Sequence, residues 1–126
     1  MSFEQSIKKY SGKLPEAQFR IISPDDFEIS TVNRGVLFVF AAWSGPAVVS
    51  YQLLCHELAQ TQTATISVLV VDIDFIDQEF SSRVFGGALG GWGEALWIKD
   101  GQPAHLDKGY ALENVAVLKA RVREFG

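Results

Sequence analysis

The side chains able to do acid–base, nucleophilic or metal chemistry in this sequence are few: one cysteine, two histidines and a scatter of carboxylates. Cys55 stands beside His56 in a stretch with helical character. Adjacent residues of a helix point in different directions, so the two make no ligand pair. A core thiol is the expectation for Cys55, since a monothiol redox role needs an exposed cysteine of low pKa. Ser44 offers a hydroxyl nucleophile, but its nearest histidine in sequence, His56, is twelve residues along. That is about 18 Å on a helix, far beyond the reach of a general base. Ser44 is therefore read as a helix N-cap.

Asp72, Asp74 and Asp77 follow an apolar run. Asp72 and Asp74 share one strand face and could offer a shallow cation contact. Strand-end solvation, with Asp77 capping the next helix, is the plainer account. The glycine-rich segment Gly86-Gly87-Ala88-Leu89-Gly90-Gly91-Trp92-Gly93 resembles a phosphate cradle in composition only. Such cradles lie between a strand and the helix after it, whereas this one lies between a helix and a strand and lacks a lysine. His105 is expected at the solvated start of an edge-type strand, with nothing assembled around it. No metal or cofactor is expected, and a single cysteine excludes both an internal disulfide and a multi-cysteine zinc site.

The elements that must position these groups follow from periodicity. Phe3, Ile7 and Tyr10 mark a short amphipathic helix in an N-terminal extension, residues 1–18, ended by Ser11-Gly12 and Pro15. Residues 19–126 carry the main domain. Phe19 to Ser23 reads as a strand, and Ser23-Pro24-Asp25-Asp26 as the start of a helix running to about Val32. Val36 to Ala41 is continuously apolar, as a strand buried on both faces must be. Pro46 opens a long helix from Ala47 to about Gln60, and Thr65 to Ile73 is the next strand. A shorter helix follows Asp77, with Phe80 and Val84 on one face. Glu94 to Lys99 and Pro103 to Lys108 form a hairpin about Asp100-Gly101. Leu112, Val115, Leu118, Val122 and Phe125 make the stripe of a terminal helix. The order is β-α-β-α-β-α-β-β-α, an α/β fold with a central mixed sheet flanked by helices.

Composition sets the outer limits. The chain of 126 residues is 48% hydrophobic, enough for one core without metal or disulfide staples. Its formal net charge is −4, with no basic run, which argues against binding a nucleic acid backbone. No segment has the length of a signal peptide core or a membrane span, so a soluble cytoplasmic protein is expected.

The order of elements and several landmarks resemble the thioredoxin-like superfamily over roughly residues 19–125. Ala42-Trp43-Ser44-Gly45-Pro46-Ala47 resembles that family's Trp-Cys-Gly-Pro-Cys entry to a helix. Val71-Asp72-Ile73-Asp74 looks like the end of its third strand, Ile98-Lys99-Asp100-Gly101 like its hairpin, and Lys108-Gly109-Tyr110 like the approach to its last helix. The resemblance implies a nucleophilic cysteine at Ser44 and a resolving cysteine at Ala47, and neither is present. The family's buried acid aligns with Phe38, the lysine often beside it with Val70, and its cis-proline with Gly93. This chain is therefore expected to be a redox-inactive member.

The same resemblance brings the loops of Trp43 and Trp92 together where relatives grip an extended peptide. Trp43, Ser44, Gly45, Pro46, Ala47, Trp92 and Gly93 are the expected binding residues for a protein or peptide partner. Side chains would bury against an aromatic surface, and free backbone groups near Gly93 would pair with the partner's chain. A residual monothiol enzyme using Cys55 and a small immunity or inhibitor protein are the alternatives. A homodimer through the same patch, or through the N-terminal helix, stays open.

Overall fold

The computed structural model describes residues 1–61 and 65–126. Five strands, β1 (Phe19–Ile21), β2 (Arg34–Phe40), β3 (Ser67–Asp72), β4 (Ala95–Lys99) and β5 (Gln102–Asp107), form one sheet in the order β1-β3-β2-β4-β5. β1, β3 and β2 run parallel, while β4 and β5 are antiparallel to their neighbours. Four helices, α1 (Phe3–Tyr10), α2 (Gly45–Thr61), α3 (Gln78–Phe85) and α4 (Val115–Phe125), pack on this sheet. No helix among the described residues is long and apolar enough to cross a membrane.

Alternation along the strands divides the core in two. Val36, Phe38, Phe40, Val68, Val70 and Trp97 face one way, against residues of α1, α2 and α4. Leu37, Val39, Leu69, Val71 and Ile98 face the other way, against Phe27, Val32 and the α3 residues Phe80 and Val84. Both faces are covered, which is why β2 and β3 read as unbroken apolar runs. In the hairpin turn Asp100 and Gly101 both have positive φ, 53° and 75°, as a tight two-residue turn between twisted strands requires.

Two expectations need correction. No α-helix runs from Pro24 to Val32; the segment forms single 3-10 turns at Pro24–Asp26 and Ile29–Thr31. Ser23 makes no side-chain cap, and Phe27 and Glu28 are extended, because burial of Phe27 and Val32 in the second core outweighs the local start signal. The terminal helix begins at Val115, and Leu112 lies in a preceding 3-10 turn with its side chain exposed.

The N-terminal segment shares the core of the sheet. Ser2 and Gln5 form a reciprocal capping box on α1, and Ile7 and Leu14 are buried in the first core. Phe3 and Tyr10 set their rings 5.8 and 6.2 Å from that of Phe40.

Candidate functional site

The edge of the sheet where β2 ends and α2 begins gathers the expected site residues. The chain leaves Phe40, turns through Ala41 to Ser44 with Ser44 N donating to Ala41 O at 3.0 Å, and enters α2 at Gly45. Pro46 sits in the first turn, where a missing N–H costs nothing. Ala47 is wholly buried. Ser44 does more than cap. Its Oγ accepts from Ala47 N only at a long 3.4 Å, and its hydroxyl donates to Gly91 O at 2.8 Å. The serine thus straps the glycine-rich loop onto the start of α2.

That loop, residues 86–93, is held from inside by Glu94. The carboxylate is 5% exposed and accepts from Gly90 N at 2.6 Å and Trp92 N at 3.2 Å. The glycines then have distinct tasks. A Cβ on Gly90 would lie 2.5 Å from Trp92 Nε1, and one on Gly91 would lie 2.9 Å from Trp43 Cη2. Each indole therefore lies against a glycine of the same loop. Gly93 has φ of +84°, and a Cβ there would meet Ser50 Cβ at 2.6 Å, so the loop also rests directly on α2. The peptide bonds here are trans.

A chain of hydrogen bonds braces Gly93 from the far side. Ser50 donates to Gly93 O at 3.0 Å and accepts from Tyr110 N at 2.9 Å. Tyr110 donates to Asp107 at 2.6 Å, and Asp107 takes a two-point contact from Arg121 on α4. Burial, with the Asp107 carboxylate as its hydrogen-bond acceptor, pushes the Tyr110 phenol well above its ordinary range. Sequence reasoning missed Glu94, Ser50 and this network. Their types are ordinary, and only tertiary contact reveals the role.

On this base Trp43 is 66% exposed and Trp92 58% exposed. Trp43 Nε1 donates to Asp74 Oδ1 at 3.2 Å, which fixes the indole beside the end of β3. Phe75, one residue on, is 74% exposed. Of the backbone groups near Gly93 that were expected to meet a partner, Gly91 O, Trp92 N and Gly93 O have partners within the protein.

Between the start of α2 and the sheet, the packing is apolar and aromatic. Phe38 and Val70 are register partners of β2 and β3, both wholly buried, and the Phe38 ring lies 5.1 Å from that of Tyr51. The one thiol, Cys55, is buried, and desolvation pushes it up to about 12. Tyr51 shares its hydroxyl with Ser11 Oγ at 2.7 Å and with the Cys55 thiol, which ties α1 to α2.

The remaining candidates stay separate. Asp77 caps α3 through Phe80 N at 2.8 Å, as expected, and Asp72 accepts from Asp74 N at 2.9 Å. His105 is not merely solvated: it lies in mid-strand and meets the Glu124 carboxylate at 3.0 Å. Among the described residues no group of three His, Cys, Asp or Glu side chains is placed to hold a metal. A cavity of about 640 Å³ lies between the end of α1 and the outer face of α2, lined by Lys9, Tyr10, Lys13, Leu53 and His56 among others. None of its residues belongs to the Trp43–Trp92 surface, and no catalytic constellation forms in it.

The fold is similar to that of thioredoxin O2 from Arabidopsis thaliana in the oxidised state, with a TM-score of 0.68 and 18% identity, covering 89% of this chain and 98% of that one. It is similar to the Malassezia sympodialis thioredoxin Mala s 13, with a TM-score of 0.66 and 20% identity, covering 88% of this chain and 93% of that one. A structure that describes thiol resolving in yeast mitochondrial 1-Cys peroxiredoxin via glutathione/thioredoxin systems matches with a TM-score of 0.57 and 20% identity, over 76% of this chain and 82% of that one. No protein-family profile and no curated protein sequence matches the chain. Identities this low carry the fold alone, and the fold is thioredoxin-like.

Proposed function

We propose that this chain is a thioredoxin-like protein-binding module that works without thiol chemistry and holds a protein or peptide partner on the Trp43–Trp92 surface. One observation carries the reading. Two tryptophans are braced against a single glycine loop, yet both keep more than half of their surface in water. Exposed indoles on a rigid base are the residues that most often dominate a binding interface. The brace costs little ordering on binding, because Ser44, Glu94 and Ser50 already fix the loop.

The absence of redox chemistry is the second half of the proposal. Ser44 and Ala47 stand at the reactive positions, and Cys55 is buried with its pKa raised to about 12. A thiol of that kind supplies almost no thiolate at neutral pH. A lone reduced cysteine fits a reducing compartment such as the cytoplasm.

The test is affinity capture with the wild-type chain, the Trp43→Ala/Trp92→Ala double variant and Cys55→Ala. Partners should be retained by Cys55→Ala and lost from the double variant, with circular dichroism unchanged in all three. In parallel, insulin reduction by the wild type should not exceed that of Cys55→Ala. Undiminished capture by the double variant, or reductase activity that depends on Cys55, overturns the reading.

A further inference from the structure

We propose that the partner segment seated at Trp43 and Trp92 is basic, with an arginine or lysine head group held between the Trp43 indole and the carboxylates of Asp72 and Asp74. This rests on the reading of the surface as a binding site and adds the chemistry of what it binds.

Charge is unevenly distributed at one edge of the sheet. The parallel strands β1, β3 and β2 all end there, and β4 begins there. Four of the connections at that edge, residues 22–26, 41–46, 72–77 and 86–94, contain no lysine or arginine, whereas the one after β5 begins with Lys108. The whole chain has 11 such residues against 15 acidic ones, so the depletion is local. The same connections carry Asp25, Asp26, Asp72 and Asp74, and none of these four pairs with a cation among the described residues. Of the basic residues near this edge, Arg121 is already paired with Asp107, Lys9 lies over the Tyr10 ring that stacks on Phe40, and Lys108 follows β5 at the opposite side of the sheet from Asp25 and Asp26.

The aromatic and acidic features meet at one contact. Asp74 Oδ1 takes the Trp43 indole N–H, which leaves Oδ2 without a partner among the described residues. Asp72 likewise spends Oδ1 on Asp74 N. Burial, with the neighbouring Asp74 charge adding to it, raises its pKa. A guanidinium fits this pair of features, since it stacks on an indole face and donates to a carboxylate at once. An acidic partner would meet unpaired like charges here, and a purely apolar one would leave them uncompensated.

The experiment uses two synthetic peptides of the same apolar framework, one with arginines and one with citrulline at the same positions. Citrulline keeps the shape and most donors and removes the charge. The wild-type chain should bind the arginine peptide about tenfold more tightly than the citrulline peptide, and the gap should shrink as salt is raised. The preference should vanish in Asp72→Asn/Asp74→Asn, where the amide oxygens can still accept from Asp74 N and Trp43 Nε1. Trp43→Ala/Trp92→Ala should lose both peptides. Equal binding of the two peptides by the wild type, or an intact preference in the double Asn variant, overturns the charge assignment while the binding surface stands. Binding of neither peptide overturns both.

Discussion

The interior beneath the start of α2 and the surface above it are built on opposite rules. Below, Phe38, Val70 and Tyr51 are wholly buried, and the polar atoms that remain are paired with one another. Above, Trp92 stands in water on a loop braced by Ser44, Glu94 and Ser50, with Trp43 and Phe75 exposed on the neighbouring turns. The lower layer is plain core, yet the upper layer is not collapsed or closed.

The buried layer is the more sensitive of the two to substitution. Introducing an acid by Phe38→Asp puts a carboxylate among aromatic rings, beside the apolar Val70. A cost above about 4 kcal/mol is expected, as for other unpaired buried charges, a large share of a domain's usual stability. Urea denaturation checks it. A stable Phe38→Asp variant would mean that the lower layer accommodates a carboxylate.

The bracing of the upper layer comes next. Gly93→Ala forces a side chain onto Ser50 at positive φ and should cost about 1–3 kcal/mol. Glu94→Ala leaves the Gly90 and Trp92 amides without their acceptor and should cost about 1–3 kcal/mol. For both, hydrogen exchange should quicken in residues 86–93 before it quickens in β2 or β3. Global loosening without that local signature would show that the loop is not a separate, braced unit.

A smaller effect is expected at the indoles themselves. Because both are mostly exposed, Trp43→Ala/Trp92→Ala should change stability by no more than about 1 kcal/mol in thermal melts. A larger loss would identify them as structural plugs. Cys55 should resist alkylation in the folded protein and react only in denaturant, given its burial and its pKa near 12.

The smallest effect is a pH dependence. Burial raises the Asp72 pKa in the folded state, so protonated Asp72 is favoured by folding. Its contribution to stability is greatest at acid pH, below the unfolded carboxylate pKa, and falls as pH rises through the folded value. Asp72→Asn does not titrate, so it should gain on the wild type between acid and neutral pH. A gain in the opposite direction would mean that a cation already compensates Asp72.

Much of this was legible in the amino-acid sequence, and the gaps have physical causes. The apolar runs of β2 and β3, the Asp77 cap and the Asp100-Gly101 turn announce themselves through local patterns. The expected helix after Ser23 failed because its start signal is local, whereas Phe27 and Val32 answer to the second core. Trp43 and Trp92 could be brought together only through the resemblance, and their glycine seats only through contact distances. Ser44 was readable as a cap, but its bond to Gly91 joins residues far apart in sequence. Glu94 looked like the first residue of a strand and is instead the inner anchor of the loop.

The central claim is that this chain binds through its exposed indoles and not through a thiol. Its most direct measurement is the dissociation constant of one captured partner for three chains: wild type, Cys55→Ala and Trp43→Ala/Trp92→Ala. The expected result is equal affinity for the first two and a loss of at least about a hundredfold for the third, two hot-spot truncations together. Loss of binding in Cys55→Ala with full affinity in the double tryptophan variant would contradict it.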